Sequence, residues 1–338
     1  MSTKQTTQAF SLAYLKTIGI FNNDGDGRGF ANPSGLVVNK EGLIFVLNRG
    51  EPDRSRVGVL NFEEDYLYEF GSHGDADGQF RQPTAIALDS KECVYVADEH
   101  HHRISVFESS GEYLGKWGEF GSGDGQLDGP CGLAFDAEDA VYVVDQNNNR
   151  IQKFTCEGGY LSQWGEFGSG DGQFNLPWGI TLDSHGDVYV ADWRNDRIQK
   201  FSAAGEFIAE FGESGSEDGQ FHRPSSVAVD GEGHIYVADW GNERVQVLNS
   251  DGEFLLKLRG QATLSKWAED YLASIPHEKR ARDKSNLIPD LPSHLNTPYL
   301  LASHAEPHFF GPASVEIDGY GRLYVTEKSR HRFQVFLI

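Results

Sequence analysis

The chain repeats one pattern of apolar and polar positions. After each of Pro83, Pro130, Pro177 and Pro224 comes a short apolar run: "TAIALD", "CGLAFD", "WGITLD" or "SSVAVD". A turn follows, then "VYVAD", "VYVVD", "VYVAD" or "IYVAD". Arg103, Arg150, Arg197 and Arg244 open a third run in each copy, "RISVF", "RIQKF", "RIQKF" or "RVQVL". A fourth run closes the unit: "YLGKWG", "YLSQWG", "FIAEFG" or "FLLKLR". The prolines recur every 47 residues, and each arginine stands 20 residues after its proline. Short β-branched and aromatic runs joined by turn residues read as strands. Four of them in a unit of about 40–50 residues mark a propeller blade.

Two weaker copies complete a set of six. One follows Pro33, with its third run at Arg56; the other follows Pro312, with its third run at Arg332. The last copy ends after three strands. "YLKTIG" at 14–19 reads as its missing outer strand, so N-terminal residues are expected to close the ring and remove its free edges. The ten residues "WGEFGSGDGQ" occur at both 117–126 and 164–173, where an outer strand crosses to the next blade. Glycine permits the positive φ such a crossing needs. A phosphate loop is excluded there, since no helix and no Gly-Lys-Ser/Thr follows. "NNDGDGRG" at 22–29 lacks the ligand spacing of a calcium loop.

Pro-x-Gly, "VYVAD", "NxRIQ" and an aromatic before "FG" together resemble the NHL repeat, from residue 14 to 338 apart from one insert. The resemblance implies an all-β fold: a six-bladed β-propeller of four-stranded blades in a single domain, 14–338. It does not imply one function, because a fold hosts many. NHL proteins include ubiquitin-ligase recognition domains, RNA binders, sensor domains and the peptidyl-hydroxyglycine amidating lyase. Asp98, Asp145, Asp192 and Asp239, with Asn148, Asn195 and Asn242 three residues on, recur between copies and read as turn and blade-to-blade structure. Function is sought where the copies differ.

Charge narrows the partners. With 29 Lys and Arg against 51 Asp and Glu, the net charge is −22, which repels phosphate backbones and anionic membrane. No apolar run is long enough to cross a bilayer. Cys93, Cys131 and Cys156 do not form a disulfide framework, and the expected location is cytoplasmic.

The b–c loops and the crossings between blades share one face, the top. There the copies diverge. Directly after the second-strand acid or amide come Arg49, Glu99, Gln146, Trp193, Trp240 and Lys328. Directly after the repeat proline come Ser34, Thr84, Cys131, Trp178, Ser225 and Ala313. Tryptophans beside a few polar groups describe a ligand pocket, or equally a protein-docking surface. The expected catalytic groups are Arg49, Glu99, Cys131 and His222; the expected substrate contacts are Trp178, Trp193, Trp240, Gln146 and Lys328. "NRG" at 48–50 resembles the His-Arg-Gly of the amidating lyase, whose arginine is catalytic. That lyase holds zinc with histidines after the repeat proline. None stands there in this chain, so neither zinc nor any cofactor is expected. His100, His101 and His102 read as solvated turn residues, and His308 and His331 as weaker acid–base candidates. A small-molecule enzyme of lyase or hydrolase type leads, with Arg49 orienting an anionic group. A non-catalytic protein- or peptide-binding scaffold is the alternative.

An insert at 259–308 separates blades 5 and 6. Leu264, Trp267, Ala268, Tyr271, Leu272 and Ile275 share one helical face, with Thr263 as N-cap and Pro276 as the stop. The basic "HEKRARDK" follows at 277–284. The segment is expected either to pack flat on the propeller with a solvated basic turn or to serve as a lid over the rim near Trp240.

Overall fold

A computed structural model of the chain describes residues 10–21, 27–50 and 54–338. The described residues form six four-stranded antiparallel sheets, the blades of one ring. In blade 3 the strands run outward as Pro130–Phe135, Val141–Asp145, Arg150–Phe154 and Tyr160–Trp164. Every residue of Val141–Asp145 is buried, whereas Tyr160–Trp164 is partly or fully exposed. The run of apolar residues therefore marks a strand covered on both faces by neighbouring blades. Between blades 2 and 3, for instance, Ala97 and Ile104 pack with Leu133, Val143 and Phe154. Each such side chain contributes about 1.5–3 kcal/mol on burial.

The glycine of Pro-x-Gly has a steric cause. A Cβ on Gly132 would lie 2.5 Å from the Trp178 carbonyl, and one on Gly179 would lie 2.7 Å from that of Ser225. Innermost strands of adjacent blades approach too closely there for any side chain. Ring closure follows the expected route: Ala13–Ile18 pairs with Arg332–Leu337, placing Ala13 opposite Leu337 and Ile18 opposite Phe333.

Two polar devices fix the top face. In the first, the repeated arginine reaches under the incoming crossing. Arg150 Nε donates to Asp145 at 2.7 Å, while its Nη atoms donate to the carbonyls of Ser122, Gly123 and Gln126. Asn148 completes the knot, donating to Asp145 and to the Gly121 carbonyl. Arg197 and Arg244 repeat the ion pair with Asp192 and Asp239, and Arg332 pairs with Glu327. Blade 2 departs from this: His101 takes Asp98 at 2.9 Å, and Arg103 reaches only the carbonyls of Ala76 and Gln79.

The second device joins blade to blade. A side chain at the end of the b–c loop accepts a hydrogen bond from the N–H just before the next repeat proline. His102 does so for Gly129, Asn149 for Leu176, Asp196 for Arg223, Glu243 for Gly311 and His331 for Asn32, at 2.6–3.1 Å. Both partners hold positive φ at each junction, including the non-glycine residues Leu176 (51°) and Arg223 (54°). Five of the six chain segments entering the rim are thereby tied to the preceding blade; before Pro83, the Gln82 N–H donates to Asp98 instead.

The insert forms three helices: α1 (Lys266–Ser274), α2 (Pro276–Asp283) and α3 (Pro298–His304). The N-cap of α1 is Ser265, which accepts from the Ala268 N–H; the Thr263 hydroxyl instead bonds those of Tyr14 and Thr17. Pro276 ends α1 by opening α2. The apolar face of α1 does not reach the rim near Trp240. Trp267 is buried between blades 6 and 1 with Ile18, Phe30 and Phe333, and its indole N–H donates to the Glu64 carbonyl. The basic stretch lies in exposed α2, where Arg282 pairs with Glu306 and Lys279 with Asp283. Of the three helices, α3 is the one that packs beside Trp240–Asn242. Of the "NNDGDGRG" stretch, residues 22–26 lie outside the described residues, as do 51–53 of the blade 1 loop.

Candidate functional site

The site grows from the rim positions after the repeat prolines. Thr84 Oγ1 donates to the Pro130 carbonyl at 2.8 Å, and Ser225 Oγ to that of Pro312 at 3.1 Å. Ser34 makes the same contact to Pro83 at 3.5 Å. Cys131 follows suit, its thiol donating to the Pro177 carbonyl at 3.4 Å. Each small polar rim residue thus staples its blade to the next. Trp178 and Ala313 lack a hydroxyl or thiol on Cβ to make this staple, and Trp178 lines the cavity above with its indole instead.

Above the staples lies a cavity of about 290 Å³, lined by Ser34, Arg49, Thr84, Trp178, Trp193, Ser225, Trp240, Ala313 and Lys328. The cavity in the central channel is smaller, about 80 Å³. Three indoles form a continuous arc: Trp178 and Trp193 are 6.0 Å apart between ring centroids, Trp193 and Trp240 6.5 Å. Two cations brace the middle indole. The Arg223 guanidinium lies 4.9 Å from the Trp193 ring and that of Arg194 5.6 Å. Such contacts contribute about 0.5–1 kcal/mol at exposed sites and pre-set the ring.

The opposite wall is charged. Arg49 Nη2 donates to Glu99 at 2.8 Å and to Gln82 at 3.3 Å, joining blades 1 and 2 across the rim. Lys328 begins the Lys328–Arg330 turn of blade 6. Its Nζ has no hydrogen-bonding partner among the described residues. Burial first, and the Arg49 charge second, hold its ammonium below the ordinary lysine pKa, with Glu99 opposing. Two cations thus line this cavity, and the carboxylate of Glu99, off the lining, pairs with one of them.

Of the nine residues expected at the site, Arg49, Trp178, Trp193, Trp240 and Lys328 line the cavity, and Glu99 is ion-paired to one of them. Three do not fit their expected roles. Cys131 lies in the channel wall, 2% exposed, and burial pushes its thiol pKa well above the usual value. A protonated thiol held by two carbonyls is a poor nucleophile. The His222 ring is 48% exposed and 3.8 Å from Asp196, off the cavity lining. Gln146 is buried and likewise absent from that lining.

The histidine run is divided. His101 bridges Asp98 and Asp75, while His102 forms a blade junction. His331 forms another, and burial followed by Arg54 depresses its pKa. His308 is depressed by burial and by Arg259 and Arg330. Among the described residues no three His, Cys, Asp or Glu side chains are placed to hold a metal ion. Sequence reasoning missed Arg194 and Arg223. The available signal was an arginine in each segment adjoining Trp193, one of them directly before a repeat proline.

Comparison with known proteins agrees with this architecture. The NHL repeat family model matches residues 80–107, 174–201 and 221–248. No curated protein matches the sequence. Similar solved structures include a protein of unknown function from Bacteroides thetaiotaomicron, with 17% identity and a TM-score of 0.62 over 95% of this chain and 73% of that one. A streptogramin B lyase aligns at 12% identity and TM-score 0.59 over 98% and 99%. An inactive variant of virginiamycin B lyase from Staphylococcus aureus, solved with quinupristin, aligns at 14% and 0.55 over 95% and 88%. At these identities the likeness is one of fold.

Proposed function

We propose that this six-bladed propeller of NHL repeats binds a small aromatic anion at the mouth of its channel and acts on it as a lyase- or hydrolase-type enzyme. One observation carries the reading. A cavity walled by three tryptophans is lined by two cations, one of them paired to Glu99 outside the lining, in a protein of net charge −22. Indoles favour a flat apolar body, and the excess positive charge favours a carboxylate or similar group. Arg49 orients that group, and Glu99, fixed by Arg49, is the nearest candidate for moving a proton. A cavity near 290 Å³ admits one or two fused rings. That two similar folds are lyases makes elimination the first reaction to test.

A scaffold reading has its own support: Phe120 and Phe167, on neighbouring crossings, are 66% and 70% exposed. Exposed aromatic pairs of this kind suit a protein partner. One experiment separates the two. Titrating 2-naphthoate and its neutral amide should quench rim tryptophan fluorescence, the acid binding at least about tenfold more tightly. Metabolites retained from a cell extract should then be consumed by the wild type and spared by Arg49→Met. Equal binding of acid and amide, or none of either, overturns the anion pocket. Retention without consumption overturns the enzyme.

A further inference from the structure

Lys328 differs from the other partly buried lysines. Lys16 lies 3.5 Å from Glu64, Lys153 2.8 Å from Asp136, and Lys200 2.8 Å from Asp187. Lys328 has no carboxylate within ion-pair distance among the described residues. Glu99, whose charge reaches it, is engaged at 2.8 Å by Arg49. Its ammonium therefore faces an apolar wall and a like charge with no neutralising partner. Both disfavour the charged form and leave a larger fraction of free amine, the nucleophilic species. The indole arc opposite would hold a planar molecule against it.

We propose that Lys328 is a covalent catalytic residue, forming an imine with a small aromatic aldehyde or ketone that bears a carboxylate. The proposal rests on the aromatic-anion reading of the pocket and divides the labour of its two cations. Arg49 holds the carboxylate with the guanidinium edge that Glu99 leaves free, and Lys328 meets the carbonyl. The Nζ lone pair attacks the carbonyl carbon, forming a C–N bond, and the C=O π pair moves to oxygen, which takes a proton from nitrogen. The carbinolamine then expels its oxygen as water with the second nitrogen proton, leaving C=N. One water is released per imine, and nothing is oxidised or reduced. The imine nitrogen then takes a proton from water, and its positive charge would draw electrons from the adjacent carbon, as eliminations and carbon–carbon cleavages require.

The test uses the intact protein, 4-formylbenzoate as probe and cyanoborohydride as trap. Peptide mapping should find one adduct per chain, on Lys328, forming at least about tenfold faster than on exposed lysines such as Lys40 or Lys91. Lys328→Arg and Lys328→Gln should lose that adduct, while Lys328→Arg still binds 2-naphthoate. Labelling spread over surface lysines, or sparing Lys328, overturns the imine whatever naphthoate does. An adduct on Lys328 without naphthoate binding sustains the imine and removes the anion reading instead.

Discussion

Asp239 is wholly buried and Trp240 lines the cavity, although one peptide bond separates them. Asp192 and Trp193 repeat this split, as do Asn48 with Arg49 and Glu327 with Lys328. The first residue of each pair ends a strand and is tied to the repeated arginine, or in blade 1 to backbone. Its neighbour begins the loop and turns toward the mouth. Across the blades the first position holds Asp, Asn or Glu, while the second holds Arg, Glu, Gln, Trp, Trp and Lys. The shared position builds the ring and the variable one furnishes the pocket. Substitution should therefore separate stability from binding at adjacent residues.

The largest expected effect is on the shared side. Arg244→Ala would leave Asp239 buried and unpaired, in a pair whose side chains are 1% and 0% exposed. Urea unfolding should show a loss of about 3–5 kcal/mol. A variable position should behave oppositely. Trp193→Ala should weaken 2-naphthoate binding about 10–100-fold, with a smaller loss of unfolding free energy, about 1–2 kcal/mol, from its two guanidinium contacts. If both variants lose stability equally, the division between ring and pocket fails.

Cys131 sharpens the contrast, because by sequence it read as a variable, reactive group and by structure it is a staple. Cys131→Ser keeps the donor to the Pro177 carbonyl, so stability should change by about 1 kcal/mol or less and binding not at all. Native Cys131 should also resist iodoacetamide until the protein unfolds. Rapid labelling or lost turnover would return it to the site.

The smallest effect concerns pH at a blade junction. Burial raises the Glu243 pKa to about 7, against the Gly311 N–H, with Glu327 adding to the rise. A carboxyl raised above its unfolded value contributes stability below about pH 4.5 and loses it as pH rises through about 7. Glu243→Gln should flatten that dependence, leaving the variant roughly 2 °C higher in Tm at pH 8 and level with wild type near pH 4.5. Parallel pH curves for the two proteins would refute the assignment.

The ring was legible in the sequence because its cause is local and repeated. A strand buried on both faces is largely apolar, and six copies, four of them at a regular 47-residue spacing, leave little freedom. Closure by 14–19 was legible because that stretch copies a fourth strand. The pocket was legible in part, since Trp193, Trp240 and Lys328 break a pattern. What escaped depends on contacts across blades. Arg49 meets Glu99 and Arg223 meets Trp193 only when the ring closes. Cys131 misled because its sulfur was read singly, whereas Ser34, Thr84 and Ser225 show the slot to be a hydrogen-bonding one. The helix of the insert is legible in its spacing, but the place of its apolar face is not: α1 packs between blades 6 and 1, and it is α3 that lies beside Trp240–Asn242, since amphipathicity states that a face is covered but not by what.

The strand pairing that closes blade 6 also sets a timetable. Blades 1 to 5 each draw their four strands from one contiguous stretch, so each sheet can form soon after its residues leave the ribosome. The Ala13–Ile18 strand emerges first and must wait for Arg332–Leu337. At roughly 5–20 residues per second, that wait is on the order of tens of seconds. Meanwhile Trp267 has no complete groove to enter, because blades 6 and 1 together supply it. The nascent protein thus carries an unmatched strand and an uncovered indole until Arg332–Leu337 arrives, and chaperone protection in this interval would matter more than while blades 2 to 5 form.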